Sequence, residues 1–216
     1  MLKKTQLILA LDIADKARAI SLSIDLANYT DAVKIGYPLV LGAGIDIIKD
    51  ISDIVPVIVD FKVADIPNTA RLICSQAFDA GASAVIVHGF TGSDSLLECV
   101  RTAREFDGSI YVVTEMSHPG ALDFMAPVSD ALAQLAVDCN ASGVVAPATR
   151  PERVKVIRSI VGDMTIISPG VGAQGGSAAD AIRAGTDYVI VGRSIYNSRD
   201  PVIEAEKIVR EIENCR

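Results

Sequence analysis

Four side chains carry the strongest chemical signal in this sequence: Asp12, Lys34, Asp60 and Lys62. Asp60 and Lys62 stand two apart at the end of a β-branched run, VPVIVDFK (55–62), and strand residues two apart share a face. Asp12 closes the run LILALD (7–12), and Lys34 lies inside AVKIGY (32–37). Charges gathered at the ends of neighbouring strands are costly unless they pair with one another or with a ligand. One reading is a structural ion-pair network. The other is an alternating Lys/Asp array around a reacting centre, whose carboxylates keep a lysine protonated as a proton donor. No His/Cys ligand set accompanies the cluster, although Asp groups can in principle hold Mg²⁺.

A second signal lies further along. Residues 170–175 read G-V-G-A-Q-G, the spacing of a dinucleotide fingerprint. That fingerprint normally opens the first unit of its fold, whereas here it follows the seventh apolar run. The helix after it also starts only beyond Gly176, with Ser177 as its cap. An anion cradle explains the glycines better, because they let backbone N–H groups approach a phosphate with no Cβ in the way. Gln174 adds an amide, and Arg193 in GRSIY offers a guanidinium that can grip phosphate oxygens in a fork. The bland alternative is that the glycines only turn the chain and Arg193 caps a helix. Between these signals, His88 ends a run and His118 sits in the long loop SHPGALDFMAP (117–127). The loop carries Leu122, Phe124 and Met125, the composition of an apolar lid, with Ser117 at its base.

The elements that must position these groups repeat one unit. The runs LILALD, AVKIGY, VPVIVDFK, AVIVHG, SIYVVTE, GVVAPA, TIISPG and YVIVGRSI are nearly continuously apolar, as strands buried on both faces should be. Helix-period segments separate them. DKARAISLSIDLANY sets Ala17, Ile20, Ile24 and Leu26 roughly on one stripe, and PVSDALAQLAVDCN sets Leu132, Leu135, Ala136 and Cys139 on another. Pro151 and Ser177 mark helix starts. Eight strands in strict alternation with eight helices predict parallel pairing and closure into an α/β fold of the (β/α)8 TIM-barrel type, one domain over 1–216. On that fold, loops after strands 7 and 8 commonly bind phosphate, and catalytic groups sit at the C-terminal strand ends.

Composition narrows the classes. The net charge is −7, and the longest basic run is Lys3-Lys4, so no nucleic-acid stripe or polybasic membrane anchor is present. No apolar stretch nears the ~20 residues of a membrane span, and the N-terminus lacks a signal-peptide pattern, so a soluble cytoplasmic protein is expected. Cys74, Cys99, Cys139 and Cys215 form no C-x-x-C pair and are expected to be reduced.

Taken together, these motifs resemble the orotidine 5′-monophosphate decarboxylase family in its short single-domain form. The strongest element is D-x-K-x-x-D-I-P-x-T, here Asp60-Phe61-Lys62-Val63-Ala64-Asp65-Ile66-Pro67-Asn68-Thr69. LALD with Asp12, VKIG with Lys34, EMSHPGA with Ser117, SPGVGAQGG with Pro169 and Gln174, and VGRSIY with Arg193 support it. D-x-K-x-x-D alone also occurs in related Mg²⁺-dependent enzymes acting on sugar phosphates, while I-P-x-T and the Gln-bearing loop are more specific. The resemblance implies decarboxylation of orotidine 5′-monophosphate to uridine 5′-monophosphate, without metal or cofactor. It implies that Lys62 protonates C6, that Asp60 faces the carboxylate, and that Lys34 and Asp65 complete the array. It gives Asp12, Lys34 and Thr69 to the ribose, Ser117 and Gln174 to the pyrimidine edge, and Arg193, Gly172 and Gly192 to the phosphate. Ile66 and Pro169 join the binding set. Asp65 and Thr69 are implied to come from the neighbouring subunit of a homodimer.

Overall fold

The structure is a computed structural model describing residues 3–215. Residues 1, 2 and 216 of the expected 1–216 span lie outside the described residues. Eight parallel strands close a barrel in sequence order: β1 (Leu7–Leu11), β2 (Ala32–Gly36), β3 (Val57–Val63), β4 (Ala84–His88), β5 (Ser109–Val113), β6 (Gly143–Val145), β7 (Thr165–Pro169) and β8 (Tyr188–Val191). Closure comes from β1 pairing with β8, with Leu7 opposite Val189. The expected (β/α)8 barrel is therefore what the chain forms.

The continuous apolar runs conceal an alternation between two cores. Leu7, Leu9 and Leu11 point out to the helices, while Ile8 and Ala10 point into the barrel. Ile58, Ile86, Tyr111, Val113, Ile167, Tyr188 and Ile190 fill that interior with them. Both faces of each strand are apolar because both face protein.

The helices are α1 (Lys16–Leu26), α2 (Tyr37–Ala43), α3 (Ile47–Ser52), α4 (Pro67–Asp79), α5 (Ser93–Glu105), α6 (Ala121–Phe124), α7 (Ser129–Asp138), α8 (Pro151–Val161), α9 (Ala178–Arg183), α10 (Arg193–Tyr196) and α11 (Pro201–Glu213). The strict alternation of eight helices is thus corrected. Gly44, at φ +85, ends α2 and splits the second connection into two helices. The loop after β5 folds into α6 and a 3₁₀ turn, Ala126–Val128, before α7. A short α10 precedes α11.

The stripe expected for the first helix also needs correction. The buried face of α1 is Ala19, Leu22, Ser23 and Leu26, and Ile24 is 57% exposed. Ser23 enters the core because its hydroxyl donates back to the Ala19 carbonyl at 2.8 Å. In α7, by contrast, Leu132, Ala136 and Cys139 are buried as anticipated. Pro151 opens α8, and Ser177 caps α9 by accepting from the Asp180 amide. All four cysteines are free.

Candidate active site

The barrel's C-terminal end opens into a cavity of about 880 Å³. Its walls include Asp12, Lys34, Asp60, Lys62, Ser117, Pro169, Gln174, Gly192 and Arg193. Residues from β1, β2 and β3 therefore meet the loops after β5, β7 and β8.

Register explains how the charges assemble. Lys34 is paired with Ala10 on one side and Ile58 on the other, and its side chain rises inside the barrel past the small Ala10. Asp60 stands two residues beyond Ile58, on the same face. At this point β3 loses its pairing with β4, and the register shifts between Val59 and Val63. Lys62 takes φ +44, a left-handed conformation that costs a residue with a Cβ roughly 1–2 kcal/mol. Phe61 turns outward between the two charged residues and stacks on Tyr37, ring centroids 5.0 Å apart. The strained backbone and the outward aromatic together point Asp60 and Lys62 inward.

The charges alternate along a line. Lys34 Nζ lies 3.4 Å from Asp12 Oδ1 and 2.9 Å from Asp60 Oδ2, and Lys62 Nζ donates to Asp60 Oδ1 at 2.7 Å. Asp60 thus gives one oxygen to each lysine. Its side chain is 8% exposed and that of Lys62 is 36% exposed, so the outer lysine faces the cavity. Burial pushes the Asp60 carboxyl up, but the two ammonium groups outweigh it and hold it below the usual range. Burial likewise pushes Lys34 down, and Asp60 and Asp12 outweigh it, leaving its pKa raised. Both partners therefore stay charged near neutrality. His88 ends β4 nearby, its Nδ1 buried without a partner. Burial, reinforced by the Lys62 charge, takes it down to about 4.

The opposite wall is built for recognition. Gly170, Gly172 and Gly175 all hold positive φ. Gly172 holds φ +73, and a Cβ there would lie 2.5 Å from Ser194 Oγ, so the packing of the loop after β7 on the turn after β8 favours glycine. The loop is braced by bonds from the Gly172 amide to Gly176 O at 2.9 Å and from Gly175 to Gly172 O at 2.8 Å. The Ala173 and Gln174 amides take no part in that bracing. Ser117 Oγ donates to Gln174 Oε1 at 2.7 Å, bridging the loop after β5 to the glycine loop. Leu122 lines the cavity, Phe124 is 84% exposed, and Met125 packs against the barrel interior.

Four of the anticipated residues stand apart from these walls. Asp65, Ile66, Thr69 and Gly172 do not line the cavity. Asp65 Oδ1 accepts from the Ile66 amide at 2.8 Å, and Ile66 is 67% exposed. Among the described residues, no group of three or more His, Cys, Asp or Glu side chains is arranged to hold a metal.

The cavity also contains residues to which the motifs assigned no role. Glu115, Thr149 and Arg150 line it. A survey of charged residues at every strand end, beyond the first three, would have found Glu115 after β5 and Arg150 after β6.

Comparison with known proteins decides the family. The model of the orotidine 5′-phosphate decarboxylase / HUMPS family matches residues 5–208. The chain belongs to that family. A curated orotidine 5′-phosphate decarboxylase of Methanococcoides burtonii is 61% identical over the whole of both chains. One from Methanosarcina acetivorans is 56% identical over 99% of this chain and 97% of the relative. The crystal structure of orotidine 5′-monophosphate decarboxylase from Methanocaldococcus jannaschii, complexed with the inhibitor BMP, superposes with a TM-score of 0.91 at 45% identity. That match covers 95% of this chain and 97% of the other. The resemblance carried by the motifs is borne out, and the chain stands with the decarboxylases, which are lyases.

Proposed function

We propose that the protein decarboxylates orotidine 5′-monophosphate to uridine 5′-monophosphate in pyrimidine biosynthesis, by direct electrostatic stabilisation of the C6 carbanion. The observation that carries this reading is Asp60 holding Lys34 and Lys62 by one oxygen each, facing the same cavity as Gln174 and Arg193. Breaking the bond from C6 to the carboxylate releases carbon dioxide and leaves an electron pair in the ring plane, orthogonal to the π system. A delocalising electron sink is of little use to such a pair. A fixed ammonium is of great use, because preorganised charge needs no reorganisation as the anion develops. Lys62 supplies that charge, delivers its proton to C6 and is left as an amine that solvent reprotonates. Asp60 faces the departing carboxylate, and Lys34 keeps Asp60 ionised.

The remaining groups would bind. Asp12 and Lys34 hold ribose hydroxyls. Ser117 and Gln174 reach the pyrimidine edge, and Pro169 forms part of the wall beside it. Arg193, Gly192 and the turn at Gly172 hold the phosphate, with Gln174 at its side. Because the phosphate is remote from the reacting bond, its binding energy can drive closure of the loop after β5.

Asp65, Ile66 and Thr69 belong, in this reading, to the site of a second copy. That they do not line their own cavity supports it, as do the exposed Tyr37, Leu41 and Phe90 in neighbouring units. Mixing inactive Lys62→Ala and Asp65→Ala chains should restore some activity. No restoration in dimers shown to have exchanged subunits would refute sharing. The reaction itself is tested by an ultraviolet assay with orotidine 5′-monophosphate, run with and without chelator. Undiminished turnover in chelator is expected, whereas no turnover, or turnover lost to chelator, contradicts the proposal.

A further inference from the structure

One buried carboxylate at the cavity has no part in this chemistry. Glu115 lies two residues past β5, and its side chain is fully buried. Its oxygens go to two different arginines: Oε1 accepts from Arg150 Nε at 2.7 Å and Oε2 from Arg153 Nε at 3.0 Å. Each arginine then reaches onward. Arg150 donates through Nη2 to the Met116 carbonyl, and Arg153 through Nη2 to Asp130 at the start of α7. Thr149 Oγ1 adds a bond to the Ser117 carbonyl at 3.3 Å.

The topology gives this network its meaning. Met116 and Asp130 are the two ends of the segment whose first residues, Met116 to Pro119, and Leu122 line the cavity. Both are tied, through one arginine each, to the same carboxylate. Ser117, next to the first tie, donates to Gln174 on the far wall. A forked guanidinium fixes direction as well as distance, so the ties orient the loop base. An ion triad buried for packing alone would be replaceable as a whole by apolar side chains, since buried pairs are a weak source of stability.

We propose that Glu115 is a positioning residue: through Arg150 and Arg153 it fixes both ends of residues 116–130 and so aims the Ser117 hydroxyl at Gln174 and the pyrimidine edge. The inference rests on the decarboxylase reading, which places Ser117 against the base. Turnover of orotidine 5′-monophosphate by the unaltered chain tests that reading separately. The inference is tested by a double-mutant cycle of Glu115→Gln with Ser117→Ala. If Glu115 acts through Ser117, Glu115→Gln lowers kcat/KM about tenfold alone and less than about twofold when Ser117 is already alanine. A role in general stability would give equal losses in both backgrounds. Equal losses, or no loss in the first background, overturn the proposal. Should Glu115→Gln fail to fold, Arg150→Lys takes its place, keeping the charge opposite Glu115 while losing the fork onto Met116, with the same outcomes. If the unaltered chain shows no turnover, the same cycle is read in dissociation constants for uridine 5′-monophosphate, where coupling supports the tie and additivity overturns it.

Discussion

The two ends of the barrel keep their buried carboxylates in different company. At the N-terminal end, Asp31 accepts from the backbone amides of Lys4, Thr5 and Gln6 at 3.0–3.2 Å. Asp187 accepts from the Ile166 amide at 2.7 Å and pairs with Arg158 and Lys3. These carboxylates fasten chain entering β1 and β7. At the C-terminal end, Asp60 is held by two ammonium groups, one of them open to the cavity. A backbone amide among its partners makes a carboxylate a rivet, whereas Asp60, held by two lysines alone, is one member of a charge array. Asp31 and Asp187 are thus structural below, and Asp60 above is the one placed for the proposed reaction; the partners make the difference.

That contrast predicts that substitutions above alter kinetics and substitutions below alter stability. Second only to Lys62→Ala, Arg193→Ala should raise KM about a hundredfold through loss of the proposed phosphate contact, with the melting curve unmoved. An unchanged KM would put the phosphate elsewhere. Below, Asp31→Ala leaves three amides without their acceptor, that of Gln6 buried, and should cost about 1–2 kcal/mol in urea unfolding, with kcat within about twofold of the parent. A kinetic defect in a fully folded Asp31→Ala chain would erase the distinction between the ends.

The smallest effect concerns His88, which sits above yet should act on stability. Its pKa falls from an ordinary 6.5 to about 4 in the folded chain. As pH drops below 6.5, the unfolded chain takes up the proton first, so stability is lost between pH 6.5 and 4. The loss should reach roughly 1–2 kcal/mol after allowance for partial exposure. His88→Asn should flatten that part of the urea-midpoint profile, and parallel profiles would refute the assignment. Asp60 acts in the same direction at lower pH. Its lowered pKa gives stability that is full above 3.8 and lost as pH falls through the folded value.

Much of this was legible in the chain. The eight apolar runs mark the strands because a barrel buries both strand faces, leaving no polar alternation to blur them. The Asp60/Lys62 pairing was legible because a two-residue spacing survives even the bulge at Lys62. Helix phase was less so. Apolar spacing puts Ile24 on the core stripe, but a serine able to bond its own backbone takes that face of α1. Glu115 with Arg150 and Arg153 stayed hidden because each partner lies 35 or 38 residues away, with no motif linking them. The residence of Asp65 outside its own cavity is also invisible to spacing, which puts it only three residues past Lys62.

The most direct test of the central claim is Lys62→Ala, assayed both for turnover of orotidine 5′-monophosphate and for binding of uridine 5′-monophosphate. If the Lys62 ammonium stabilises and protonates the C6 anion, turnover should fall by at least ~10⁴-fold while the dissociation constant stays within about tenfold. Turnover near that of the parent, with binding intact, would show that another group supplies the proton and would contradict the account.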